Sequence, residues 1–191
     1  MKNTKEINIK NRQEWREWLE LNHSKKDAVW LIFYKKSSSN FNLSWSESVD
    51  ESLCFGWIDS TKKTIDNERF KQYFSKRKPK SNWSRVNKEK VKNLIEQGLM
   101  RDAGFKSISI AKENGSWTIL DSVENLEIPN ELEQAFKCNK EAKEYFENLS
   151  KSEKKILLYW IVSAKREETR TKRIVEIVEN GNMQMKPKQF R

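Results

Sequence analysis

Residues 54–84, CFGWIDSTKKTIDNERFKQYFSKRKPKSNWS, decide how this chain is organised. From Trp57 to Asp66 and from Arg69 to Lys78 the residues have strand content, separated by the polar turn Asp66-Asn67-Glu68, and Gly56 caps what precedes them. Alternation puts Ile58, Ser60, Lys62 and Thr64 on one face and Trp57, Asp59, Thr61 and Ile65 on the other. In the second strand Phe70, Gln72 and Phe74 oppose Lys71, Tyr73 and Ser75, so the pattern predicts an antiparallel hairpin. Pro79 has no N–H to give a ladder and ends that strand. A helix then starts near Ser84, with Val91, Leu94 and Ile95 on its apolar side and Gly98 at its end.

Upstream, Asn11 and Glu14 have capping-box spacing, and Trp15, Trp18 and Leu19 form an amphipathic stripe that predicts a helix over residues 12–22. AVWLIFY, residues 28–34, is an apolar, β-branched and aromatic run suited to a strand covered on both faces. Ser44 and Glu47 make a second capping box. A helical wheel begun at Trp45 gathers Val49 and Leu53 on its side and puts Cys54 on the opposite side, while Glu47, Asp50 and Glu51 read as a solvated acidic face.

Downstream, residues 105–113 are expected to be helical, residues 100–104 a turn and residues 121–130 a connector. Pro129 suits a helix start, Ala142, Tyr145, Phe146 and Leu149 give another stripe, and Ser150 with Glu153 caps KKILLYWIV. A last helix carries Ile174, Ile177 and Val178 and is expected to stop at Gly181. The fold class is α+β: an antiparallel sheet of about three strands packed by helices, with an all-helical C-terminal lobe. The boundaries are an α+β domain over 1–120, a helical module over 121–181 and a flexible tail over 182–191.

Charge sharpens this picture. Of the net +10, residues 62–92 alone contribute twelve basic against three acidic side chains, whereas the segments on either side are nearly balanced. Eight Trp and nine Phe supply a core despite 35% charged residues. Cys54 and Cys138 show no paired spacing, which argues against a disulfide framework or a thiolate metal site and fits a reducing compartment. No apolar leader and no membrane-length apolar run occur, so a cytoplasmic protein without a transmembrane segment is expected. The five glycines form no phosphate-binding loop, one histidine leaves no imidazole cluster, and no cofactor is expected. Oligomeric state is not encoded in any of these patterns.

Three chemistries compete. Arg77, Lys80, Asn82 and Ser84, with a helix N-terminus and the rings of Trp57 and Trp83 as walls, suit a small anionic ligand that Asp59 and Ser60 would help orient. The basic excess also suits nucleic acid without sequence readout. An enzyme would use Cys54 or Asp59, with His23 completing a triad, but Asp50 one turn before Cys54 opposes thiol activation. Binding is favoured over catalysis, and no residue is assigned as catalytic or metal-ligating.

CFGWIDS (54–60) and the run R-F-x-Q-x-F-S-x-R-K-P-K-S-N-W-S (69–84) resemble the bacteriocin-protection, YdeI/OmpD-associated proteins. YFENLS and YWIVSAKREETRTKRI, between Ala142 and Val178, are similar to the C-terminal helical module of that family. The resemblance implies a bacterial stress protein concerned with tolerance of bacteriocins or antimicrobial peptides, with no catalytic residues to carry over.

Overall fold

Asn11 opens the first helix as its spacing predicts, with its side chain accepting from the Glu14 N–H at 3.0 Å. The computed structural model describes residues 4–191, and the chain divides into two units, one ending at Trp117 and the other beginning at Thr118. In the first unit β1 (Glu6–Asn8) is followed by α1 (Arg12–Asn22), β2 (Ala28–Tyr34), α2 (Trp45–Cys54), β3 (Trp57–Thr64), β4 (Arg69–Lys76), α3 (Arg85–Glu96) and α4 (Asp102–Glu113). The second holds α5 (Asp121–Glu124), α6 (Asn130–Lys137), α7 (Lys140–Asn148), α8 (Lys151–Val162) and α9 (Glu167–Asn182), then a 3-10 turn, Lys188–Phe190. The α+β class follows.

The sheet has four strands in the order β1-β2-β4-β3. β3 and β4 form the expected antiparallel hairpin and β2 lies antiparallel to β4, from Ala28 opposite Ser75 to Tyr34 opposite Arg69. The sequence pattern misses β1, which pairs parallel to β2 from Glu6 opposite Trp30 to Asn8 opposite Ile32. Three residues, Glu-Ile-Asn, carry too little alternation to announce a strand, and the pairing is made by backbone alone. A register shift between Asp59 and Lys62 breaks the β3 ladder and re-aims the side chains around it.

Trp15 and Leu19 of α1, Leu31 and Phe33 of β2, Leu53 of α2 and Phe74 of β4 are fully buried in one core. α2 lies against this core by a wider arc than its wheel suggests, burying Ser48, Glu51 and Ser52 along with Val49, Leu53 and Cys54. Its buried hydroxyls are satisfied within the helix, Ser48 Oγ donating to Trp45 O and Ser52 Oγ to Ser48 O. Trp45, used to orient the wheel, is the residue that faces outward, at 49% exposure. α4 begins at Asp102, inside the segment expected to be a turn.

The second unit has its own core, centred on Leu132, Phe136, Phe146, Leu157, Leu158 and Ile161. Ser150 and Glu153 form a complete capping box at the start of α8. α9 runs through Gly181 to Asn182. The segment expected to be a loose tail makes ordered contacts: Phe190 sits edge-on to Trp160 at 5.3 Å, and Arg191 Nη2 donates to Asn180 Oδ1 at 2.8 Å.

Candidate functional site

Most of the CFGWIDS block builds the fold. Gly56 has φ +69°, and a Cβ there would stand 2.7 Å from Ala103 O. Gly104 of α4 lies equally close from the other side, where a Cβ would meet Cys54 O at 2.4 Å. Two glycines thus let α4 press its backbone onto the end of α2, and Arg101 N donates to Cys54 O at 3.1 Å. Trp57 is fully buried, edge-on to Trp18 at 5.8 Å, with its Nε1–H donating to His23 O at 3.3 Å. The expectation that Trp57 walls a binding groove is therefore corrected: it is a core residue. From the end of the block, Ile58, Asp59 and Ser60 turn outward.

RKPKSNWS folds into a loop held at several points. Arg77 N donates to Gly56 O at 2.9 Å, Ser81 N to Lys78 O at 2.9 Å, and Pro79 O accepts from Asn114 Nδ2 at 2.7 Å. Trp83, 1% exposed, packs on Trp117 with ring centroids 4.9 Å apart. Ser84 caps α3 by accepting from Asn87 N at 3.3 Å. The Arg77 guanidinium lies 3.7 Å over the Trp83 ring and donates from Nη1 to Asn82 O at 2.8 Å. Its Nε and Nη2 are buried and find no hydrogen-bond partner in the protein. Burial pulls the Arg77 pKa down to about 10, opposed by the nearby charge of Asp59, so the group stays cationic at neutral pH.

Asp59, Ser60, Arg77 and Asn82 line one cleft of about 840 Å³ at the end of the β3–β4 hairpin, with Ile58 and Tyr73 adding apolar surface. These four expected site residues come together. Lys80 is exposed and does not line the cleft, Ser84 serves as a helix cap, and Trp83 is the platform beneath Arg77 rather than an open wall. Two further residues join the site from its flank. Asp59 Oδ2 accepts from Trp45 Nε1 at 2.9 Å and from Gln72 Nε2 at 2.8 Å. Gln72 could have been found, because a glutamine between Phe70 and Phe74 on an apolar strand face must bring its own partner. Trp45 could not, since its place at the head of a capped helix looks like core.

The cysteine reading does not gain a geometry. Cys54 is fully buried, and desolvation pushes its thiol pKa up, with hydrogen bonding to Arg16 working against that shift. His23 is engaged by Leu19 O at 2.8 Å and Asp59 by Trp45 and Gln72, so the three residues do not form a relay. Glu51, expected on a solvated face, is 3% exposed. It accepts from Arg12 Nε at 2.5 Å and Arg16 Nη1 at 2.6 Å, and Arg16 Nη2 caps Leu99 O at 2.8 Å. The basic excess of residues 62–92 is also partly spent: Arg69 pairs with Asp66, Lys71 with Glu6, Lys76 with Asp27 and Lys90 with Asp50.

Among the described residues no helix is long and apolar enough to cross a membrane. Residues 7–107 match the model of a domain of unknown function, DUF8412, which therefore spans the sheet and the whole of the 54–84 stretch. Residues 125–181 match the model described as bacteriocin-protection, YdeI or OmpD-associated, in the helical unit. No curated protein and no solved structure matches the chain. The chain thus belongs to the DUF8412 family through its α+β unit, and its helical unit is similar to the bacteriocin-protection, YdeI or OmpD-associated proteins.

Proposed function

We propose that the α+β unit binds a small anion in the cleft at the end of the β3–β4 hairpin. One observation carries this reading: Arg77, a cation sunk in the wall of the cleft, has no carboxylate partner and two guanidinium nitrogens, Nε and Nη2, without acceptors. A buried charge left unpaired is costly, and a carboxylate or phosphate supplied from solution would relieve that cost. Asp59 would select among anions. One of its oxygens is held by Trp45 and Gln72, so the carboxylate is fixed in orientation and favours a ligand that carries a hydroxyl or amine donor beside its anionic group. Tyr73 and Ile58 would cover an apolar part of the ligand.

In the cell, this reading makes the protein a ligand-binding component of bacteriocin or antimicrobial-peptide tolerance, the role suggested by the domain at residues 125–181. Two free cysteines, one of them exposed, support a reducing cytoplasm as its location. The test is calorimetric titration of the full chain with inorganic phosphate and with lactate, a hydroxy acid. Both should bind, and Arg77→Met, which keeps the stem over Trp83 and removes the charge, should weaken each by about tenfold or more. Equal affinity in wild type and Arg77→Met would remove the proposal.

A further inference from the structure

A second cavity adjoins the cleft along the segment from Lys76 to Pro79, and its chemistry differs from that of the cleft. It encloses about 400 Å³, within the range of about 300–1,000 Å³ typical of small-molecule pockets. Phe55, Pro79, Ala103 and Ile110 give it apolar walls. Four of its lining residues are cationic, Lys76, Arg77, Lys78 and Lys106, and none is acidic. Lys76 is neutralised by Asp27. The ammonium groups of Lys78 and Lys106 make no ion pair among the described residues and are left facing solvent beside an apolar hollow.

An apolar cavity fringed by unpaired cations is complementary to one class of molecule: an apolar body ending in a single negative charge. A neutral hydrophobe would fill the walls and leave the lysines unanswered. A cationic amphiphile would be repelled by them, and a small hydrophilic anion would give up hydration without filling the apolar space. We infer that this cavity binds an amphipathic carboxylate, its hydrocarbon or aromatic body against Phe55, Ala103 and Ile110 and its carboxylate between Lys78 and Lys106. The site is separate from the phosphate cleft. The two share Lys76, Arg77, Lys78 and Pro79 in their walls, but each has residues that the other lacks, Ile110 and Lys106 here, Ser60 and Asn82 there.

Octanoate, 1-octanol and octylamine titrated calorimetrically into the full chain test the inference. Octanoate should bind about tenfold more tightly than either of the other two, a difference of about 1.4 kcal/mol. The double charge reversal Lys78→Glu with Lys106→Glu changes only exposed side chains and should lower octanoate affinity at least about tenfold. Ile110→Glu, checked by circular dichroism, should do the same by placing a carboxylate on the apolar wall. Ser60→Glu separates the two sites: it should abolish phosphate binding in the cleft and leave octanoate within about twofold of wild type. Octanol binding as tightly as octanoate, or an unchanged octanoate affinity in the lysine double variant, overturns the assignment. Phosphate binding that survives either result leaves the cleft intact.

Discussion

The α+β unit buries two charges of opposite sign in opposite ways. Glu51 on α2 is enclosed by Arg12 and Arg16, both at hydrogen-bonding distance, with Arg16 also tied to Leu99 O. Arg77, between β4 and α3, is enclosed by a tryptophan ring and a single carbonyl, with Asp59 near but engaged elsewhere. A buried ion whose partners come from its own fold is part of the architecture. A buried ion without them holds its charge available, and the cost of that arrangement is what a ligand can offset. The contrast assigns Glu51 to stability and Arg77 to binding.

The largest effect that tests this contrast is Glu51→Gln. It should destabilise the chain by about 3–5 kcal/mol, because two guanidinium groups, one of them well buried, lose their counter-charge. Urea unfolding measures it, and a loss below about 1 kcal/mol would break the comparison at the Glu51 end. Arg77→Met should behave in the reverse way. At neutral pH it should be as stable as wild type or more stable by up to about 3 kcal/mol, since the burial cost of an unpaired charge is removed and the methionine still packs on Trp83. The same variant should lose phosphate binding by about tenfold, equivalent to about 1.4 kcal/mol.

Asp59→Asn refines the binding side. The amide oxygen can still accept from Trp45 and Gln72, while the negative charge near Arg77 is gone. Phosphate, which is repelled by that charge, should bind more tightly by about 1 kcal/mol, the size of a charge interaction at short range in a hydrated cleft. Lactate should gain less, because its hydroxyl loses its best acceptor. If both anions gain equally, Asp59 is a bystander and not a selector.

The difference between the two corners is also where sequence reasoning succeeds and fails. Local signals survive folding: the caps at Asn11, Ser44, Ser84 and Ser150 all form, as does the strand at residues 28–34. They depend on residues three or four apart, which no distant contact overrides. Asp59, Ser60, Arg77 and Asn82 meet because a hairpin places its two ends together, and that too can be read from alternation and a turn. Burial of single side chains cannot. Glu51 and Asp50 are neighbours on one helix, yet Glu51 is enclosed by arginines 35 and 39 residues away, while Asp50 is paired with Lys90 at the surface. Trp57, Trp83 and Trp45 are alike in sequence, and only long-range packing sends the first two inward and the third out to Asp59.

The smallest effect is the pH dependence of Arg77 itself, and its sign follows from the direction of the shift. The pKa of Arg77 in the folded protein is about 10, below the ordinary arginine value, so burial disfavours the charged form. Between those two values the unfolded chain binds more protons at this site than the folded one, and stability rises with pH there. Below about 10 both states are charged, and the fold carries the full burial cost. Arg77→Met has no such group. Its stability relative to wild type should therefore be constant from pH 7 to 9 and fall as the pH passes 10. At pH 10.5 the wild type should have recovered about 0.8 kcal/mol on the variant. The many lysines that titrate together are common to both proteins and cancel in the difference between them. A pH-independent gap between wild type and Arg77→Met would mean that Arg77 is better solvated or better paired than its surroundings indicate, and the anion site would lose the imbalance on which it rests.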